Sequence, residues 1–284
     1  MKFPPFAYRA PASLDDALTV LASDPQAKVI AGGQSLLPLL ALRLAQPTLL
    51  VDLGSVADLA FVEADDGVVR VGAMTTLATL EDSQLVAEKL PLLAQAIRYV
   101  AHRPIRNRGT LGGSLAHADP AAELPAVALA LGATLVSRGP AGERRLDAAD
   151  FFTGPFATGL GDDEILTSVE FPVRAGSWSF QEVARRSGDF ALAIAAVGVE
   201  LEGETCTGST VVLHGVGSRP IRSTAAEAIL NGAVAGDDVA ARAGDAAAAE
   251  LRPAADIHGS SEYRKRVAAA LVRRAALDAG RRAQ

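Results

Sequence analysis

Polar and apolar positions along the chain change rhythm twice, and each change marks a different kind of unit. Residues 13–23, SLDDALTVLAS, read as a short helix. Ser13 is its candidate N-cap, and Asp15 and Asp16 place negative charge in the first turn, where the helix dipole favours it. The β-branched stretch KVIA (28–31) predicts a strand. Ser35 can cap a following helix that ends before Pro47 and tolerates Pro38 in its first turn, and TLLVDLG (48–54) predicts a second strand. Helix, strand, glycine turn, helix, strand is a small α/β unit.

In GVVRVGAMTTLATLEDS, Val68, Val69 and Val71 predict a strand, and the Thr75–Thr76 pair can cap a helix from about residue 76. Residues 86–102 read as helical, with Pro104 ending the run; a second glycine turn, a helix from about Asp119–Pro120 and a strand over 133–138 follow. From residue 176 the rhythm becomes strand-like in SWSFQEVARR, FALAIAAVGVEL and STVVLHGVG. Helices are expected at about 223–231 and 237–250, and from Ser260 to about Ala279. The expected division is a first domain over 1–175, with subdomains of about 1–55 and 56–175, and a second over 176–284.

Composition narrows the chemistry. The single cysteine, Cys206, excludes an internal disulfide and any iron–sulfur cluster held by this chain alone. The four histidines never fall at the i, i+4 spacing of a metal-binding helix. A net charge of −6, with three tyrosines and one tryptophan, argues against a nucleic-acid surface. No apolar run approaches the roughly 20 residues of a membrane span, and MKFPPFAYRAP lacks the apolar segment of a signal peptide, so a cytoplasmic location is expected.

The candidate chemistry lies in two glycine pairs. Ala31-Gly32-Gly33-Gln34-Ser35-Leu36 follows the first strand, and Thr110-Leu111-Gly112-Gly113-Ser114 repeats the idea. Glycine permits positive φ and close approach of a ligand, successive N–H groups form an anion-binding concavity, and a helix start adds its positive end. Neither pair is a dinucleotide fingerprint or a P-loop, since G-x-G-x-x-G and G-K-[ST] are both missing. Together they can grip two sides of one extended anionic ligand. Asp119 suits sugar or ribityl hydroxyls, or else caps the helix expected at Pro120. His117 is either a ligand contact or a satisfied polar residue of the turn. Arg103, Arg106 and Arg108 either offset diphosphate charge or form a solvated edge.

AGGQSLLPLLALRLAQPTLLVDL and RNRGTLGGSLAHADPAAELPA resemble the FAD-binding medium subunit of the molybdenum hydroxylases, the group of xanthine dehydrogenase and aerobic carbon monoxide dehydrogenase. DEILTSVEFP, HGVGSRPIRSTAAEAIL and YRKRVAAALVRRAAL are similar to later parts of the same family, so the resemblance covers nearly the whole chain. It implies an α+β chain: a p-cresol methylhydroxylase (PCMH) type FAD domain of two α/β subdomains, then a C-terminal domain with a small antiparallel sheet and helices. It also implies that Ala31 to Leu36 wrap the FAD diphosphate through backbone N–H groups and that Thr110 to Ser114 meet it from the other side. By the same resemblance Asp119 binds the ribityl hydroxyls, Leu166 packs on the isoalloxazine, and Arg185 or Arg186 nears the flavin. The implied partners are a molybdenum-cofactor large subunit and a [2Fe-2S] small subunit, assembled as a dimer of heterotrimers. No catalytic acid or base and no metal ligand is expected. A stand-alone FAD-dependent oxidoreductase of the same fold, and a binding module that has lost its flavin, are the competing readings.

Overall fold

A computed structural model describes residues 2–283; Met1 and Gln284, which bound the expected domains, lie outside the described residues. The first unit contains β1 (Ala7–Arg9), α1 (Leu14–Ala22), β2 (Ala27–Ile30), α2 (Leu36–Ala41) and β3 (Leu49–Asp52), with a parallel sheet in the order β1-β3-β2. Ser13 caps α1 as expected, accepting the Asp16 N–H at 3.1 Å. Asp52 ends β3 early because its carboxylate accepts the Gly54 N–H at 2.8 Å and starts a short 3₁₀ turn. Ser35 differs from expectation. It precedes α2 but has already entered helical φ/ψ, so its hydroxyl makes no capping bond.

The second unit comprises β4 (Val62–Asp65), β5 (Val68–Gly72), α3 (Leu77–Glu81), α4 (Gln84–Lys89), α5 (Pro91–Ile97), α6 (Arg103–Arg106), α7 (Leu111–His117) and α8 (Leu124–Leu131). It continues through β6 (Thr134–Gly139), β7 (Gly142–Asp147), α9 (Ala148–Phe151), β8 (Phe152–Gly154), β9 (Ala157–Thr158) and β10 (Ile165–Pro172). Its main sheet is antiparallel, in the order β4-β5-β10-β6-β7. Thr76 caps α3 by accepting the Thr79 N–H. The helix expected over 86–102 is broken by Pro91, which lacks the N–H needed to continue α4 and instead opens α5. Pro104 lies in the first turn of α6 rather than ending a helix.

In the third unit, β11 (Ser177–Ala184), β12 (Ala191–Glu202), β13 (Thr205–His214) and β14 (Ile221–Arg222) form an antiparallel meander. Helices α10 (Thr224–Leu230), α11 (Asp237–Glu250) and α12 (Ser261–Ala283) follow. Nine consecutive residues of β12, Ala191–Val199, are buried, because both faces of its sheet are covered. Ile194 and Ala196 join the core that contains α5, α8 and β10, whereas Ala193, Ala195 and Val197 pack with Ala243, Leu271 and Ala275 of α11 and α12. A strand buried on both sides reads as a continuous apolar run, which is how FALAIAAVGVEL is written. Ile165 joins the core of the first unit while its neighbour Leu166 joins that of the second, so β10 ties the two together. Among the described residues no helix is long and apolar enough to cross a membrane.

Candidate cofactor site

The two glycine pairs, about eighty positions apart, are built against each other. A methyl group on Gly32 would sit 2.0 Å from the Arg108 carbonyl oxygen, and one on Gly113 would sit 3.4 Å from Ala31 Cβ. The same contact is held from a third side, where Leu77 N–H donates to the Gly109 carbonyl at 2.8 Å and Thr76 pairs with Thr110. Gly33 has φ +73°, a conformation that L-residues adopt at a cost of roughly 1 kcal/mol or more.

The backbone donors of the two runs have different fates. The N–H groups of Gly32, Gly33, Gln34 and Ser35 meet no acceptor among the described residues. They lie between the end of β2 and the start of α2, and all but the exposed Ser35 are half-buried. Unpaired half-buried donors are uncommon in folded chains and point to a bound acceptor. In the second run, Leu111 N–H donates to Thr75 O at 3.0 Å, Gly112 N–H to Ala73 O at 2.9 Å, Gly113 N–H to Thr110 Oγ1 at 3.0 Å and Ser114 N–H to Thr110 O at 3.1 Å. This run is not a turn. Thr110 is an N-cap and both glycines lie in the first helical turn of α7. Gly112 is needed for contact: its Cβ would lie 2.5 Å from Ala73 Cβ. The donors left to a ligand here are side-chain hydroxyls, foremost that of Ser114, which makes no bond among the described residues.

Helix α7 ends at Ala118, in the left-handed region, and α8 starts only at Leu124. Asp119 therefore does not cap a helix at Pro120. Its Oδ1 accepts the Ala121 N–H at 2.9 Å, closing a local turn. The half-buried His117 ring lies against Phe156, centroids 5.1 Å apart, and burial lowers its pKa. Arg106 is buried and Arg103 exposed; both pair with Glu81, and Arg103 also with Asp82. Both are committed to carboxylates and so are not free to offset a phosphate; Arg103 and Arg108 are exposed, as a solvated edge would be, whereas Arg106 is buried.

Leu166 is 5% exposed, beside a register shift in β10 between Leu166 and Ser168. Arg185 is exposed and lies 3.2 Å from His258 Nδ1, and Arg186 is exposed beside it in the β11–β12 turn. That turn meets the second unit at Gly188, which packs against the His102 ring. The structure thus brings together the two glycine runs, and it places Leu166 and the Arg185–Arg186 turn on other elements.

Three groups escaped the reading of the sequence. Burial raises the Glu123 carboxyl to about 7 and, with the charge of Glu123 adding to it, the Glu182 carboxyl to about 8. His214 is buried and held neutral, its pKa pushed down to about 4. A carboxylate or imidazole in an apolar stretch, as in AAELPAV or VVLHGVG, is the signal that marks them.

An α/β cradle with a row of unpaired backbone donors, set beside a second glycine-started helix and an antiparallel sheet domain, suits an extended anionic ligand such as a dinucleotide. The family model for the FAD binding domain in molybdopterin dehydrogenase matches residues 4–174, and that for the CO dehydrogenase flavoprotein C-terminal domain matches residues 178–279. The chain is 44% identical to the nicotine 6-hydroxylase medium subunit of Paenarthrobacter nicotinovorans, over 99% of this chain and all of that one. It is 35% identical to the carbon monoxide dehydrogenase medium chain of Hydrogenophaga pseudoflava, over 96% of each. Among solved structures, quinoline 2-oxidoreductase from Pseudomonas putida 86 superposes with a TM-score of 0.98 at 45% identity, covering 100% of this chain and 99% of that one. The chain belongs to the FAD-binding medium subunits of the molybdenum hydroxylases, a family of oxidoreductase subunits.

Proposed function

We propose that this chain is the electron-transferring subunit of a heterotrimeric molybdenum hydroxylase. It takes electrons from a [2Fe-2S] small subunit, which receives them from a molybdenum-cofactor large subunit, and passes them to an external acceptor. The assembly is a dimer of heterotrimers in the cytoplasm, and the chain divides at about residue 175. The observation that carries the reading is the row of four unpaired N–H groups from Gly32 to Ser35, facing a second glycine run that the fold holds in contact with it. A diphosphate matches such a row in charge and spacing of acceptors. Near-complete coverage of chains called medium subunits supports the division of labour, as does a single cysteine that cannot hold a cluster here.

In this reading Ala31, Gly32, Gly33, Gln34, Ser35 and Leu36 bind the diphosphate from one side. Thr110, Leu111, Gly112, Gly113 and Ser114 form the other wall, with the hydroxyl of Ser114 as donor. Asp119 accepts from ribityl hydroxyls, Leu166 excludes water beside the ring system, and Arg185 sets the charge near it. FAD, when bound, supplies the redox chemistry; the side chains bind it, orient it and tune its surroundings. The test is a flavin titration of the purified full chain, followed by co-expression with candidate large and small subunits. Uptake of about one FAD per chain with co-purification of both partners is expected. A folded chain that ignores added FAD would sink the proposal, and FAD uptake without any partner would leave only a stand-alone flavoprotein.

A further inference from the structure

The loop joining α7 to α8 is held by both halves of the molecule. Ala118 has φ +49°, a left-handed conformation that costs a non-glycine residue about 1 kcal/mol and persists only where neighbours impose it. From within the second unit, Phe156 N–H donates to the Ala118 carbonyl at 2.9 Å and Ala122 N–H to the Asp119 carbonyl at 3.1 Å. The remaining contact comes from the C-terminal sheet. His214, at the end of β13, places Nε2 3.3 Å from the same Asp119 carbonyl oxygen, across 95 positions of sequence.

His214 is 1% exposed, and Nδ1 makes no well-formed hydrogen bond among the described residues, although the Arg219 backbone also lies close to the ring. It stands opposite Ile194, which stands opposite Glu182, so the three side chains share the sheet face that packs on the second unit. An apolar residue would fill that position without burying an unpaired nitrogen, and leaving such a group unpaired is unfavourable. The well-formed bond that the imidazole makes is the one to the Asp119 carbonyl. A carbonyl only accepts, so Nε2 carries the proton.

We infer that His214 is a positioning residue for the flavin site: by holding the Asp119 carbonyl from the C-terminal sheet, it fixes the α7–α8 turn so that the Asp119 carboxylate faces the cofactor. The inference rests on the reading above that Asp119 contacts FAD. It assigns the C-terminal domain a direct part in cofactor binding, through one hydrogen bond rather than through bulk packing.

The full chain with Leu, Asn or Gln at position 214 separates this role from packing. Glutamine reaches as far as Nε2 and can donate; asparagine is polar but too short; leucine only packs. In fluorescence titrations well below each Tm, His214→Leu and His214→Asn should weaken FAD binding about 5- to 10-fold, as loss of one buried hydrogen bond does. His214→Gln should return to within about 3-fold of the parent. If the leucine variant does not fold, the asparagine–glutamine pair still decides. Asp119→Ala should also weaken binding, and adding His214→Asn to it should change little more. Equal affinity for asparagine and glutamine variants overturns the inference. So does a full His214→Asn effect in the Asp119→Ala background. If Asp119→Ala alone binds FAD like the parent, the Asp119 reading falls and takes this one with it.

Discussion

The two glycine runs look alike in sequence and behave differently in the fold. After β2, the run Ala31–Leu36 leaves four backbone donors without acceptors, and its Ser35 hydroxyl is uncommitted. At α7, the run Thr110–Ser114 has every N–H from Leu111 onward bonded within the chain, and its threonine side chain is a cap. The first run keeps donors that a ligand can take. The second is shaped for its neighbours, the Ala73 backbone and the Arg108–Gly109 strip that receives Gly32. A glycine pair therefore says that something comes close; it does not say whether the close object is a cofactor or the protein's own main chain.

The largest effects should come from breaking the contacts between main chains. Gly112→Val should destabilise the chain by about 3 kcal/mol or more, because its Cβ would meet backbone that cannot move aside. Gly32→Val should separate the two runs for the same reason, and both should lose FAD together with Tm in thermal melts. A variant of either that melts like the parent would refute the contact.

A middle-sized effect concerns the seam between the second unit and the C-terminal sheet. Glu123 and Glu182 hold protons in the folded chain up to about 7 and about 8, whereas unfolded glutamates release them near their ordinary value of 4.5. Stability from this source is complete below that lower value and declines as pH rises through the folded values. His214 works in the opposite direction. Its folded value of about 4 lies below the ordinary 6.5 of an unfolded histidine, so stability is lost as pH falls from the upper value towards the lower. Melts across that range should show Tm falling on the alkaline side, and Glu182→Gln should flatten that limb while leaving the acid limb in place. An unchanged alkaline limb would mean that Glu182 does not titrate there.

The smallest effects separate the two runs most sharply. Thr110→Ala removes the cap of α7 and should lower stability by about 1 kcal/mol, with a secondary loss of FAD. Ser35→Ala removes a hydroxyl that bonds nothing in the chain, so Tm without FAD should stay within about 1 °C while FAD affinity falls roughly 5-fold. A Ser35→Ala variant with lower Tm and unchanged affinity would invert the assignment of the two runs.

Local signals carried well where one residue decides one bond. Ser13 and Thr76 cap helices through side chains that the pattern marks, and α11 runs from Asp237 to Glu250, over the expected range. They failed where a neighbour far along the chain decides. Pro91 divides a helix whose apolar spacing runs straight through it. The start of α7 depends on carbonyls offered by Ala73 and Thr75, which only folding brings within reach. Arg106, a plausible phosphate ligand by position, is claimed by Glu81 and by the carbonyls of Val100 and Ala101.

By itself the sequence determined the alternation of units and the two places where backbone must approach something closely. These follow from residue type and spacing, which act over one turn of helix or one pleat of strand. Tertiary structure alone decided which backbone donors stay free, which arginines are already paired, and that a histidine of the last sheet reaches the turn carrying Asp119. The physical reason is that hydrogen-bond partners and desolvation belong to pairs of groups, and a pair separated by scores of residues exists only once the chain has closed around it.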